Sequence, residues 1–97
     1  MPQVNYELIP EATMSSLQMY LEYGVNPGRF LTAVLENNLR EAMGQVDKED
    51  LEGLFDLVAY LYNEVSADAW GSRERVRAYQ DSRRIAVLER EVKNGGE

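Results

Sequence analysis

The chain contains no cysteine and no histidine. Disulfides, thiolate catalysis and the usual zinc sites are therefore excluded, and the commonest general acid/base side chain is missing. A carboxylate or lysine enzyme would need a recognisable motif, and none is present. The chain thus reads as non-catalytic, with no catalytic, cofactor-binding or metal-ligating residue. It lacks an apolar run of transmembrane length. Its first ten residues, MPQVNYELIP, lack the basic region and apolar core of a signal peptide, which reads as a cytoplasmic protein. No internal repeat or low-complexity segment appears. Cations are scarce, with 10 Lys and Arg against 17 Asp and Glu.

What is present is a 97-residue chain of ordinary hydrophobic content, 44%, enough for one domain with a modest core. Its net charge of −7 is uneven. Residues 1–58 hold ten acids and three bases, whereas residues 59–97 hold seven of each. An acidic body argues against direct nucleic-acid binding, which depends on neutralising phosphates, and favours a protein partner with a basic surface.

The pattern predicts an all-α bundle of four helices, with an extended N-terminal arm over residues 1–10 and a loose tail over 93–97. Val4, Tyr6 and Leu8 alternate in the arm, which Pro10 ends and which reads as lying over the core, with an exposed strand that pairs with another chain as the alternative. A first helix is expected from a Thr13 cap to Tyr23, with Met14, Leu17, Tyr20 and Leu21 on one face and Gly24 as its stop. A second is expected from Pro27 to Met43. Asn26 would cap it and Gly44 end it, with Leu31, Leu35, Leu39 and Ala42 along its buried line. A third, Lys48 to Val65, opens on an Asp47 cap with Asp50 in a box-like position. Its buried stripe is expected to be Leu51, Leu54, Phe55, Val58, Leu61, Tyr62 and Val65, with Leu57 and Tyr60 off the stripe. Trp70 is read as a plug at the end of the bundle, with an exposed partner anchor as the alternative. A long final helix follows a Ser72 cap and reaches about Val92. It carries Val76, Tyr79, Ala86 and Val87 on one side and Ala78, Ile85, Leu88 and Val92 on the other. A second apolar side needs a second surface unless the helix breaks near Asp81-Ser82, so Ile85, Leu88 and Val92 are candidates for self-association into a homodimer or higher oligomer.

Three constellations bear on function. The acids from Asp47 to Glu52 lack the central glycine of a calcium loop and are explained by helix capping. Glu36, Glu41, Asp47, Glu49, Asp50, Glu52 and Asp56 together suggest either an ordinary solvated exterior or an acidic face that imitates a row of phosphates. Asn37 and Asn38 interrupt the apolar stripe of the second helix, so they either satisfy a neighbouring helix or offer amides to a partner. The candidate partner-binding set is Glu36, Asn37, Arg40, Glu41, Glu49 and Glu52. The arginines of the last helix are interrupted by acids, and contact with the acidic body of a second copy is electrostatically more economical than contact with nucleic acid.

Pro27-Gly28, Phe30-Leu31, Ala33-Val34-Leu35, Asn37, Leu39 and Glu41-Ala42 form a pattern. It continues with Asp47, Ala59-Tyr60-Leu61-Tyr62-Asn63-Glu64 and Trp70-Gly71-Ser72. Over residues 9–79 it resembles a family of small phage- and prophage-encoded helical proteins. The chain departs from the family at Asp50, where asparagine is common, near Ser66, where proline is common, and at Tyr79, which replaces tryptophan. The resemblance implies a mobile-element origin and a place in the host-cell cytoplasm. Small phage accessory proteins often block host machinery. The resulting expectation is a non-catalytic module that inhibits or redirects a host protein, for example a defence system, by occlusion. The alternative is a self-associating structural or assembly protein.

Overall fold

The computed structural model describes residues 3–95, and side chains through Arg90. Among these residues there is no strand. The α-helices are α1 (Glu11–Tyr23), α2 (Arg29–Leu35), α3 (Leu39–Gln45), α4 (Lys48–Glu52), α5 (Leu54–Glu64) and α6 (Arg73–Gly95). Short 3-10 turns sit at Tyr6–Leu8 and Ala67–Ala69. The four expected helices are thus six among the described residues, because the second and third are each divided.

The first division lies at Asn37-Asn38. Asn37 takes a left-handed conformation with φ 60°. Its N–H donates to the Val34 carbonyl at 3.0 Å, and the Asn38 N–H donates to the Ala33 carbonyl at 2.8 Å. This pair of bonds is a Schellman stop, with asparagine where glycine is usual. The Asn38 side chain then accepts the Glu41 N–H at 3.1 Å and caps α3. The apolar spacing runs on through Leu39 and Ala42, but the chain turns between them and Leu35. Gly44 is accordingly no stop and lies inside α3. The start of this unit also moves. The Asn26 side-chain Oδ1 accepts from the Gly28 N–H at 2.9 Å and the Thr32 hydroxyl at 3.4 Å, so it braces a turn, and α2 begins after Gly28.

The second division lies at Gly53, which is buried where the N-terminal arm crosses it. A Cβ there would collide with the Leu8 carbonyl oxygen. Asp47 caps α4 as expected, accepting the Asp50 N–H at 2.7 Å. Thr13 does not cap α1, which starts at Glu11 directly after Pro10. Its hydroxyl instead donates to the Asp50 carboxylate.

The arm lies over the core but is not wholly extended, since it contains the turn at Tyr6–Leu8. Ile9 is buried, Tyr6 meets Tyr60 edge-on at 5.1 Å, and the Asn5 N–H donates to Asp56 at 2.8 Å. The core joins Ile9, Leu17, Tyr20, Leu31, Leu35, Leu57, Leu61, Ala69 and Val76. Each large side chain so buried contributes about 1.5–3 kcal/mol before entropy is counted. Trp70 is half-buried and packs against this cluster.

The rotation of α5 differs from expectation. Leu57 and Leu61 enter the core and Tyr60 packs against it, whereas Leu51 of α4 and Phe55, Val58 and Tyr62 of α5 are exposed. Both sides of this helix are apolar, and the arm and α2 decide which side is covered.

α6 is one unbroken helix past Asp81-Ser82, opened by Ser72, whose hydroxyl accepts the Arg75 N–H at 3.1 Å. Its first half clamps the end of α1. Tyr79 donates to the Leu21 carbonyl at 2.5 Å, Gln80 to the Gly24 carbonyl at 3.4 Å, and Arg83 to the Glu22 carbonyl through two nitrogens at 3.0 and 2.9 Å. The last carbonyls of a helix lack internal partners, so these bonds satisfy groups that α1 leaves open. Gly24 closes α1 in the left-handed region at φ 71°, and a Cβ there would meet the Gln80 carbonyl oxygen at 2.8 Å. α6 continues to Gly95, so residues 93–95 of the expected loose tail are helical, and residues 96–97 lie outside the described residues.

Candidate protein-binding surface

The break at Asn37-Asn38 borders a groove whose walls come from α3 and α5, with α2 beside them. It is lined by Val34, Asn37, Asn38, Leu39, Leu54, Val58 and Trp70, among others, and encloses about 220 Å³. Leu39 is the first residue of α3 and is 72% exposed. Met43 follows one turn later and is also exposed. Phe55, Val58 and Tyr62, spaced by three and four residues, share the outer side of α5, and Tyr62 is 72% exposed. Five large apolar side chains of α3 and α5 are thus exposed, and two of them, Leu39 and Val58, line the recess that has Trp70 in its wall. Single exposed apolar residues are ordinary, but a contiguous apolar patch marks an interaction site.

The acids flank this surface unevenly. Glu36, half-buried at the end of α2, and Glu41 share an adjacent recess of about 300 Å³ with Asn26, Arg29, Thr32 and Ala33. Ala33 lines both recesses, so the two adjoin. Asn37 lies on the groove itself, with Asn38 beside it. Glu49 and Glu52 are exposed on α4, and Arg40 is exposed on α3, but none of the three lines either recess.

Two of the seven acids expected on one continuous face are not available to it. Asp56 is 5% exposed and accepts the Asn5 N–H, holding down the arm. Asp50 is half-buried against Thr13. Burial pushes the Asp50 carboxyl above its ordinary value, the Thr13 hydroxyl opposes this by bonding to it, and the nearby Asp47 adds to the rise. Tyr20 has no free phenol either. Burial, then Tyr79 and Glu36, hold its hydroxyl well above the ordinary tyrosine range, and it donates to the Ala69 carbonyl at 2.7 Å.

The residues expected to self-associate fall elsewhere. Ile85 and Leu88 are 56% and 59% exposed on α6, and the Val92 side chain lies outside the described residues. Among the described residues no cluster of three or more acids is arranged to hold a metal ion, and no helix is long and apolar enough to cross a membrane.

Known protein families, curated proteins and solved structures offer no match to this chain.

Sequence reasoning missed Leu39, Met43, Phe55, Val58 and Tyr62 as surface residues because it placed Leu39, Phe55, Val58 and Tyr62 on buried stripes and gave Met43 no role. One signal was present. Leu57 and Tyr60 lay off the expected stripe of α5, so that helix had more apolar sides than one core can cover.

Proposed function

We propose that this chain is a non-catalytic protein-binding module, encoded by a phage or related mobile element, that occludes a surface of a host protein and so inhibits or redirects it. A host defence component is the target class. The carrying observation is the apolar groove between α3 and α5 with Trp70 in its wall and acids on its flank. An apolar centre supplies most of the free energy of a protein contact, and a charged surround supplies orientation and rate. The chain's net charge of −7 selects a basic partner surface and disfavours nucleic acid. The mobile-element origin and the host-cell cytoplasm as its place of action rest on the resemblance over residues 9–79.

Within this reading Leu39, Val58 and Trp70 form the contact centre. Glu36, Asn37 and Glu41 supply polar contacts beside it, while Arg40, Glu49 and Glu52 act further out. Affinity isolation from host lysate tests this when run in parallel on three chains. The wild type is expected to retain a specific protein. Leu39→Asp/Val58→Asp should lose it by about tenfold or more, as for a central contact. Glu49→Lys/Glu52→Lys should weaken it less, in the manner of a rim charge. Identical retained proteins for the wild type and the groove variant would overturn the proposal.

A further inference from the structure

The groove has a counterpart on the same molecule. Ala78, Ile85 and Leu88 recur at intervals of seven and three, lie on one side of α6, and are all exposed. The side of α6 that meets its own body is a different one, carrying Val76, Tyr79 and Arg83. From Arg84 to Gly95 the helix extends roughly a further 18 Å at 1.5 Å per residue. The molecule measures 51 × 25 × 23 Å, so its long dimension is about twice either of the others.

Charge is segregated in the same way. Residues 73–95 hold seven cations and four acids, a net +3, while residues 1–72 hold three cations and twelve acids, a net −9. Among the described residues the one ion pair is Arg84 with Asp81 at 3.8 Å, and both of its side chains are more than half exposed. Arg77 and Arg84, seven residues apart, border one edge of the Ile85–Leu88 stripe, and Glu89 borders the other.

We propose that a second copy of this chain occupies the groove, seating Ile85 and Leu88 of its α6 against Leu39, Val58 and Trp70, with its Arg77 and Arg84 toward Glu36 and Glu41. The charge distribution selects this pairing. α6 against α6 would bring together two helices of net positive charge, and groove against groove would bring together two acidic flanks. Reciprocal exchange, each α6 in the other copy's groove, closes a two-fold dimer and uses the contact twice. This assignment rests on the groove being a protein-binding surface. It adds that the surface is covered by the chain's own copy until another partner competes for it.

Sedimentation equilibrium of the full chain tests the pairing, with far-UV circular dichroism to verify helix content. The substituted residues are exposed, so folding should be preserved. The wild type is expected to show a dimer that weakens as salt rises. Leu39→Asp and Ile85→Asp/Leu88→Asp should each be monomeric. An equimolar mixture of these two variants should regain a 1:1 complex weaker than the wild-type dimer, because one intact groove meets one intact α6. A wild type that stays monomeric at every concentration overturns the inference. So does a dimer that survives either variant, or a mixture that forms no complex. A monomeric wild type that still loses a host partner on Leu39→Asp/Val58→Asp would sink self-occupancy alone and leave the proposed function standing.

Discussion

The two sides of α5 are nearly alike in composition and opposite in fate. Leu57 and Leu61 face inward and are almost wholly covered by the arm, α1 and α2. Phe55, Val58 and Tyr62 face outward and remain open to solvent. Hydrophobicity alone does not choose between these sides. The choice is made by groups far away in sequence, such as Asn5, whose N–H reaches Asp56, and Tyr6, which packs on Tyr60. An apolar side left over after a small core has closed is available for contact with another molecule.

The largest effects are expected on the inner side of α5. Leu61→Ala should cost about 2–5 kcal/mol in urea unfolding, because it removes a fully buried side chain and leaves a cavity. Tyr62→Ser, one residue away, should change stability by no more than about 0.5 kcal/mol, as for an exposed position. Equal losses at the two positions would show that both sides are core. Gly53→Ala tests what covers the inner side. Its new methyl must displace Leu8 and the arm, and a loss of about 1–3 kcal/mol is expected, as for other overpacked sites. Greater proteolysis at the N-terminus should accompany that loss.

Asn37→Ala tests how the outer side is built. A left-handed backbone costs an ordinary residue about 1–2 kcal/mol, and asparagine tolerates it better, so a loss of about 1 kcal/mol is expected. Weaker partner or self-association should follow, because the turn places Leu39. The smallest effect belongs to Asp50→Asn, a site lying off both sides. The folded state holds the Asp50 proton more tightly than the unfolded state, because its carboxyl is raised. The stability from this group is therefore fully present below the ordinary carboxylate value, falls as pH rises through the window up to the raised value, and is level above it. The difference in urea midpoint between wild type and variant should follow that course, favouring the wild type more at the acidic end. A difference independent of pH would contradict it.

Much of the fold was legible because it rests on local chemistry. The Asp47 and Ser72 caps, the Gly24 stop, and the inward placement of Leu17, Tyr20, Leu31 and Leu35 follow from residues a few positions apart. The two helix breaks were less legible for different reasons. At Asn37-Asn38 the apolar spacing argued for a continuous helix, while asparagine's tolerance of positive φ argued for a stop, and the second effect prevails. At Gly53 the cause is the passage of Leu8, some 45 residues earlier in the chain, which no local pattern announces. The candidate surface suffered most from this. The amide Asn37 was found in sequence because it interrupts an apolar stripe, and the acids Glu36 and Glu41 because they belong to an acid-rich stretch. The apolar residues at its centre were not, because an exposed leucine and a buried one look the same until the turn that separates them is known.

The central claim is that the outer side of α3 and α5 is a contact surface and not an uncovered remnant of the core. Hydroxyl-radical footprinting of the dilute chain, with and without host-cell proteins, tests it at single residues, with Tyr20 as the buried reference. The account predicts that Tyr62 and Leu39 label rapidly in the free chain and are protected when those proteins are present, while Tyr20 labels slowly in both. Equal labelling of Tyr62 and Leu39 under the two conditions would contradict it.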